Sequence, residues 1–151
     1  MASQRQNTGG MTVELSCLGW KRKPGKEDLM SFVNFTNHAS SKWGQDQLSA
    51  AQKYGNIIDI PFPAVNPAAT KKDVQKLAEK SVQDILAADP STVMVQGEAT
   101  LVYAVVQRLQ SKGVPCVAAC TRRRTEEELQ QLSAAGLTRE GMFAFMGFRE
   151  Y

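Results

Sequence analysis

From Thr92 to Leu109 the chain reads TVMVQGEATLVYAVVQRL. It opens on Thr92-Val93-Met94-Val95, an apolar run rich in β-branched residues and of the length of a buried strand. Gln96-Gly97-Glu98 interrupts the run. Leu101, Val102, Val105, Val106 and Leu109 then recur at helical spacing, and Gly113 and Pro115 stop that helix. A strand, a tight glycine-containing turn and a helix make half of a βαβ unit. In such units ligands gather outside the carboxyl ends of the strands. The Gln-Gly-Glu turn is therefore the first place to look for chemistry.

The same alternation runs outward from this unit. Upstream, Leu29–Phe35 reads as a strand that ends in the polar loop Thr36-Asn37-His38-Ala39-Ser40-Ser41-Lys42-Trp43. A helix over about Gly44–Tyr54 follows, closed by Gly55. Asn56–Ile60 is a second strand, stopped by Pro61 and Pro63. Thr70 is placed to cap a helix over Lys71–Ala88, with Asp73 in its first turn and a stripe of Val74, Leu77, Ala78, Val82, Ile85 and Leu86. Downstream, Val114–Ala119 is a fourth strand, followed by Thr121-Arg122-Arg123-Arg124. Thr125 and Glu128 form a capping-box pattern for a helix over Glu126–Ala135. Met142–Phe148 gives a last strand. This order predicts an α/β, doubly wound, mainly parallel sheet with helices on both faces, its core strands ordered 2-1-3-4. The switch point then falls between the first and third strands, where the Asn37–Trp43 and Gln96–Thr100 loops meet.

At 151 residues the chain is long enough for one domain with its own core. We read residues 1–29 as an N-terminal extension. Its first ten residues are a disordered or loosely attached tail, Thr12–Trp20 is a candidate strand, and Lys21–Asp28 is a linker. Residues 30–151 form the domain. No run approaches the ~18 apolar residues that span a bilayer, and the polar first residues lack the apolar core of a secretory signal. These features imply a cytoplasmic address without membrane attachment. The formal charge of +3 is too mild for a protein that coats duplex DNA. Its basic clusters, Lys21-Arg22-Lys23 with Lys26 and Arg122-Arg123-Arg124, suit either phosphates or solvated surface. Cys17, Cys116 and Cys120 match no zinc spacing and read as reduced thiols, with a redox role for Cys116 and Cys120 as the alternative.

With Thr121–Arg124 after the neighbouring strand, three polar segments converge on one rim, and the candidate site residues fall on them. His38 is the sole histidine. An ordinary imidazole titrates near about pH 6.5, so it can pass a proton or bind phosphate. Without a second histidine or a carboxylate at metal spacing, metal ligation is not expected. Ser40, Ser41 and Lys42 offer hydroxyls and a cation at a helix start, for an anion or for a simple cap. Trp43 either stacks on a base or packs inward. Gln96 can read a base edge or a ribose, Gly97 lets a ligand approach the backbone, and Glu98 suits ribose better than phosphate, unless it serves only its helix dipole. Thr100 and Thr121 add hydroxyls. Arg122 and Arg123 offer phosphate forks. Neither GxGxxG nor GxxxxGK[ST] nor GxSxG occurs.

Several segments together resemble a known family: Asn37-His38-x-Ser40-Ser41-Lys42-Trp43, Gln47 with Ala50-Ala51, Ile58-Asp59-Ile60-Pro61-Phe62-Pro63, Gln96-Gly97-Glu98-x-Thr100-Leu101, Ala118-Ala119-Cys120-Thr121-x-Arg123 and Phe148-Arg149-Glu150-Tyr151. They are similar to the small standalone CRISPR-associated proteins with a CARF-type, Rossmann-like domain. Ala39 stands where a proline commonly follows the Asn-His pair. The resemblance implies a homodimer that cradles a cyclic oligoadenylate, cyclic tetra-adenylate first among the ring sizes. It also implies a ring nuclease that cuts this messenger in antiviral defence without metal or other cofactor. His38 would be the proton shuttle or phosphate donor, with Lys42 and Arg123 neutralising charge. Asn37, Ser40, Ser41, Trp43, Gln96, Gly97, Glu98, Thr100, Thr121 and Arg122 would contact ligand. The alternatives are a sensor that binds without cutting and a protein-interaction module with no nucleotide ligand.

Overall fold

The structure, a computed structural model, describes residues 30–137 and 141–151. The candidate strand at Thr12–Trp20, the linker and the N-terminal basic cluster lie outside the described residues. Among the described residues five strands and four α-helices follow one another as β1 (Ser31–Phe35), α1 (Gln45–Gln52), β2 (Asn56–Asp59), α2 (Lys71–Ala87), β3 (Pro90–Val95), α3 (Ala99–Ser111), β4 (Cys116–Arg123), α4 (Glu126–Ala134) and β5 (Phe143–Glu150), with a short 3-10 helix at Ser40–Lys42 between β1 and α1. The sheet order is β2-β1-β3-β4-β5. β1 pairs in parallel with β2 and β3, β3 pairs in parallel with β4, and β5 returns antiparallel beside β4. The predicted core order is observed, with the switch point between β1 and β3. The architecture is a Rossmann-like, doubly wound α/β sheet.

Strand alternation divides the core between the two faces. Val33, Phe35, Val93 and Val95 face α2 and α3, where they meet Val74, Ala78, Val82, Ile85, Leu101, Val105 and Leu109. Phe32, Met94 and Val117 face the other way, toward Trp43 and Ala51. Burying a side chain such as Leu101 or Ile85 contributes roughly 1.5–3 kcal/mol, so the first cluster is the main source of stability. The helix starts follow their caps. Thr70 and Asp73 cap each other reciprocally at α2, and Thr125 and Glu128 do the same at α4.

One element departs from the sequence reading. The apolar run predicts that β4 stops at Ala119, yet the strand continues to Arg123. The partner supplies the reason: β5 pairs with Thr121, Arg122 and Arg123 through Phe145, Ala144 and Phe143. An antiparallel neighbour satisfies the backbone of polar residues as well as apolar ones. The arginine run is therefore mostly strand rather than loop, with a register shift between Cys120 and Thr121.

Candidate functional site

At the carboxyl ends of β1 and β3 the sheet opens into a cavity of about 720 Å³. The loop after β1 contributes Thr36, Asn37, His38, Lys42 and Trp43, and the turn after β3 contributes Gln96 and Gly97. Asp46 and Gln47 reach it from α1, Thr121 from β4, and Met142, Phe143 and Phe145 from the approach to β5 and the strand itself. Its size lies within the ~300–1,000 Å³ of small-ligand pockets.

The loop that carries His38 is fixed from beneath. Asn34, 1% exposed, donates from Nδ2 to the His38 carbonyl and to Asp59 Oδ1, both at 2.9 Å. Its Oδ1 accepts the Thr36 hydroxyl at 2.8 Å. Thr36 in turn accepts the His38 N–H at 3.1 Å, and Trp43 Nε1 donates to the His38 carbonyl at 3.1 Å. The Asp59 carboxylate also accepts the Ser40 N–H and hydroxyl. The His38 backbone is thus tied on both its polar atoms, while its side chain is left to the cavity. Among the described residues, neither the imidazole nor the Lys42 ammonium has a hydrogen-bond or ion-pair partner.

The other sequence candidates divide. Gln96 lines the cavity, but its amide is half engaged. Oε1 accepts the Ala119 N–H at 3.0 Å and Nε2 lies 3.5 Å from the Ala119 carbonyl. It carries the β3–β4 pairing beyond Met94–Val117, the last backbone pair. Gly97 lies against Phe62: a Cβ there would sit 2.6 Å from the ring, so packing alone demands glycine. Glu98 caps α3, accepting the N–H groups of Thr100 and Leu101 and the Thr100 hydroxyl. The Thr100 hydroxyl first, then those N–H groups, hold its carboxyl below the ordinary carboxylate range. Glu98 and Thr100 serve the helix start and do not line the cavity.

Trp43 packs inward rather than outward. It is 1% exposed and meets Phe32 edge-on at 6.3 Å, so it offers no open face for stacking a base. Ser40 is occupied by Asp59, and neither Ser40 nor Ser41 lines the cavity. The register separates the arginines. Arg123 stands opposite the cavity-lining Phe143 but does not itself line the cavity, and Arg122 stands opposite Ala144. Arg122 forms a fork on Glu128 at 2.9 and 2.6 Å. It is therefore committed to α4 rather than to a ligand. Among the described residues the Arg123 guanidinium has no hydrogen-bond or ion-pair partner.

The sequence reading gave no site role to Asn34, Thr36 or Asp59. A signal for Asn34 exists: it is an amide inside the apolar run SFVNF, and a buried amide needs partners. Phe143 and Phe145 carry no such signal, because their place at the cavity follows from the antiparallel return of β5. No group of three or more His, Cys, Asp or Glu side chains placed to hold a metal occurs among the described residues.

Fold and cavity together define a Rossmann-like α/β protein with a pocket of mixed polar and apolar lining at the sheet's switch point. The chain belongs to the family described as "Uncharacterized protein MJ1673 family", whose model matches residues 30–149. Neither a curated protein nor a solved structure gives a match. No helix among the described residues is long and apolar enough to cross a membrane.

Proposed function

We propose that the cavity binds a cyclic oligoadenylate and that the protein cuts it as a ring nuclease. The observation that carries this reading is the unpartnered His38 imidazole and Lys42 ammonium on one switch-point cavity, over a hydrogen-bonded base. Groups held in place before the ligand arrives need no reorganisation during reaction. Lys42 and Arg123 supply positive charge for phosphate, and Asn37, Gln96 and Thr121 supply hydrogen-bonding groups for ribose and base.

In the reaction, a ribose 2′-oxygen bonds to the adjacent phosphorus while the bond from phosphorus to the next nucleotide's 5′-oxygen breaks. The His38 imidazole accepts the 2′-hydroxyl proton, and the imidazolium returns it to the departing 5′-oxygen. The product is linear and ends in a 2′,3′-cyclic phosphate. A ring of four nucleotides exceeds one such cavity, so a two-fold dimer would present each half of the ring with the same groups. The exposed Met142 and Phe143 at the cavity would then be covered by the second copy.

Incubation of the purified protein with cyclic tetra- and hexa-adenylate in EDTA tests this reading. Linear products are expected, with a rate that falls by about 10²–10⁴ in His38→Ala and drops as well in Lys42→Ala. Binding without products in the native protein assigns a sensor instead. No binding removes the nucleotide reading and leaves an interaction module.

A further inference from the structure

The Gln96–Gly97 turn has a cavity on each side. Beyond it lies a second one, of about 420 Å³. Ala99, Val102, Tyr103 and Val106 wall it from α3, and Tyr151 walls it from the chain end. The four α3 residues follow helical spacing and share one face. Gln96 and Gly97 line both cavities. Tyr103 is 69% exposed on a helix whose Leu101, Val105, Val106 and Leu109 are buried, so core packing does not account for it. Tyr151 is fixed at three points. Its N–H donates to the Cys116 carbonyl at 3.1 Å, its own carbonyl accepts Gln110 Nε2 at 3.1 Å, and its hydroxyl donates to the Val95 carbonyl.

We propose that this second cavity is a nucleobase subsite, in which Tyr103 stacks on the base of a nucleotide whose ribose and phosphate occupy the first cavity. The inference rests on the nucleotide reading of the first cavity. Three observations favour a base here over any other part of the ligand. Beside Gln96 and Gly97 the walls are valine, alanine and tyrosine, which suit a flat ring, and no lysine or arginine lines them to hold a phosphate. The two cavities meet at Gly97, whose backbone is exposed although Phe62 fills the space a side chain would take, and a nucleotide can cross the rim against that backbone. Trp43 is buried and cannot serve as the platform, whereas a stack needs only one open aromatic face.

The test uses the full-length protein and cyclic tetra-adenylate carrying 2-aminopurine in place of adenine. Binding is expected to quench the probe in the native protein and in Tyr103→Phe. Tyr103→Ala is expected to lose the quench and about tenfold or more in affinity. Tyr103 is largely in solvent, so the variant should fold, which circular dichroism checks. Val102→Trp fills the cavity and should weaken binding by a separate route. Unchanged quench and affinity in Tyr103→Ala overturn the base subsite while the first-cavity reading stands. Failure of the native protein to bind the probe or its parent ring overturns both.

Discussion

Asn34 shows how one side chain sets the geometry of a loop. It sits on β1 with its amide turned to the Phe32 side of the sheet, where the strand's apolar neighbours would lead one to expect another hydrophobe. Its two donors and its acceptor are all used, on the His38 carbonyl, Asp59 and Thr36. Asn34→Ala strips partners from a buried hydroxyl and from the carbonyl behind the imidazole. Both keep other partners, the hydroxyl through the His38 backbone and the carbonyl through Trp43 Nε1, so each lost hydrogen bond costs about 0.5–1.5 kcal/mol. In a chain of this size that corresponds to a fall in Tm of roughly 2–10 °C, which thermal denaturation would measure. A melting temperature unchanged from the native protein would mean the network is not holding the loop. Gln96 and Trp43 teach the converse. Both residue types suit ligand contact, but one is half used in extending the sheet and the other is used in the core.

At the scale of elements, β4 and α4 are joined by a charge pair that neither contains alone. α4 fully buries none of its residues and half-buries only a few, Leu129 and Leu132 among them, so its first turn adds to its hold on the domain. There Glu128 completes the capping box and receives the Arg122 fork. Arg122 first, then the Thr125 N–H, push the Glu128 carboxyl down to about 2. A carboxyl lowered on folding stabilises the folded state above its ordinary range, near 4.5, and loses that contribution as pH falls toward 2. Amide exchange in the first turn of α4 should therefore quicken as pH falls through that window, beyond the intrinsic trend. In Glu128→Gln the exposed pair is gone. Protection at neutral pH should drop by a factor of about two to five, and the acid dependence should flatten. Equal pH profiles for the two proteins would show that the fork contributes nothing.

For the whole molecule, the two faces of the sheet are covered unequally. α2 and α3 seal one face over the larger core. On the other, the short α1 accompanies the smaller cluster, and the cavity opens between it and β5. Phe143, at 59% exposure, and Met142 stand exposed at this opening. Contiguous exposed apolar groups of this kind often mark an association surface. On the reading of a shared two-fold site, sedimentation should show a dimer at micromolar concentration. Phe143→Glu should shift it toward monomer and slow ring cleavage in parallel. A native protein that sediments as a monomer with ring bound would remove the shared site.

The sequence on its own determined the kinds of elements, their order and the caps, because each is written in a few neighbouring residues. The alternation of Val93, Met94 and Val95, the spacing of Leu101, Val105 and Leu109, and the Thr-x-x-Asp and Thr-x-x-Glu caps all act within a turn or two of chain. From these, topology rules placed the switch point and brought His38 and Gln96 to one rim. Only the tertiary structure decided where individual side chains spend their hydrogen bonds. The length of β4, the opposite directions of Arg122 and Arg123, the inward turn of Trp43 and the anchoring of His38 through Asn34 all depend on partners remote along the chain. Such partners meet only when the sheet assembles, and periodicity carries no record of them.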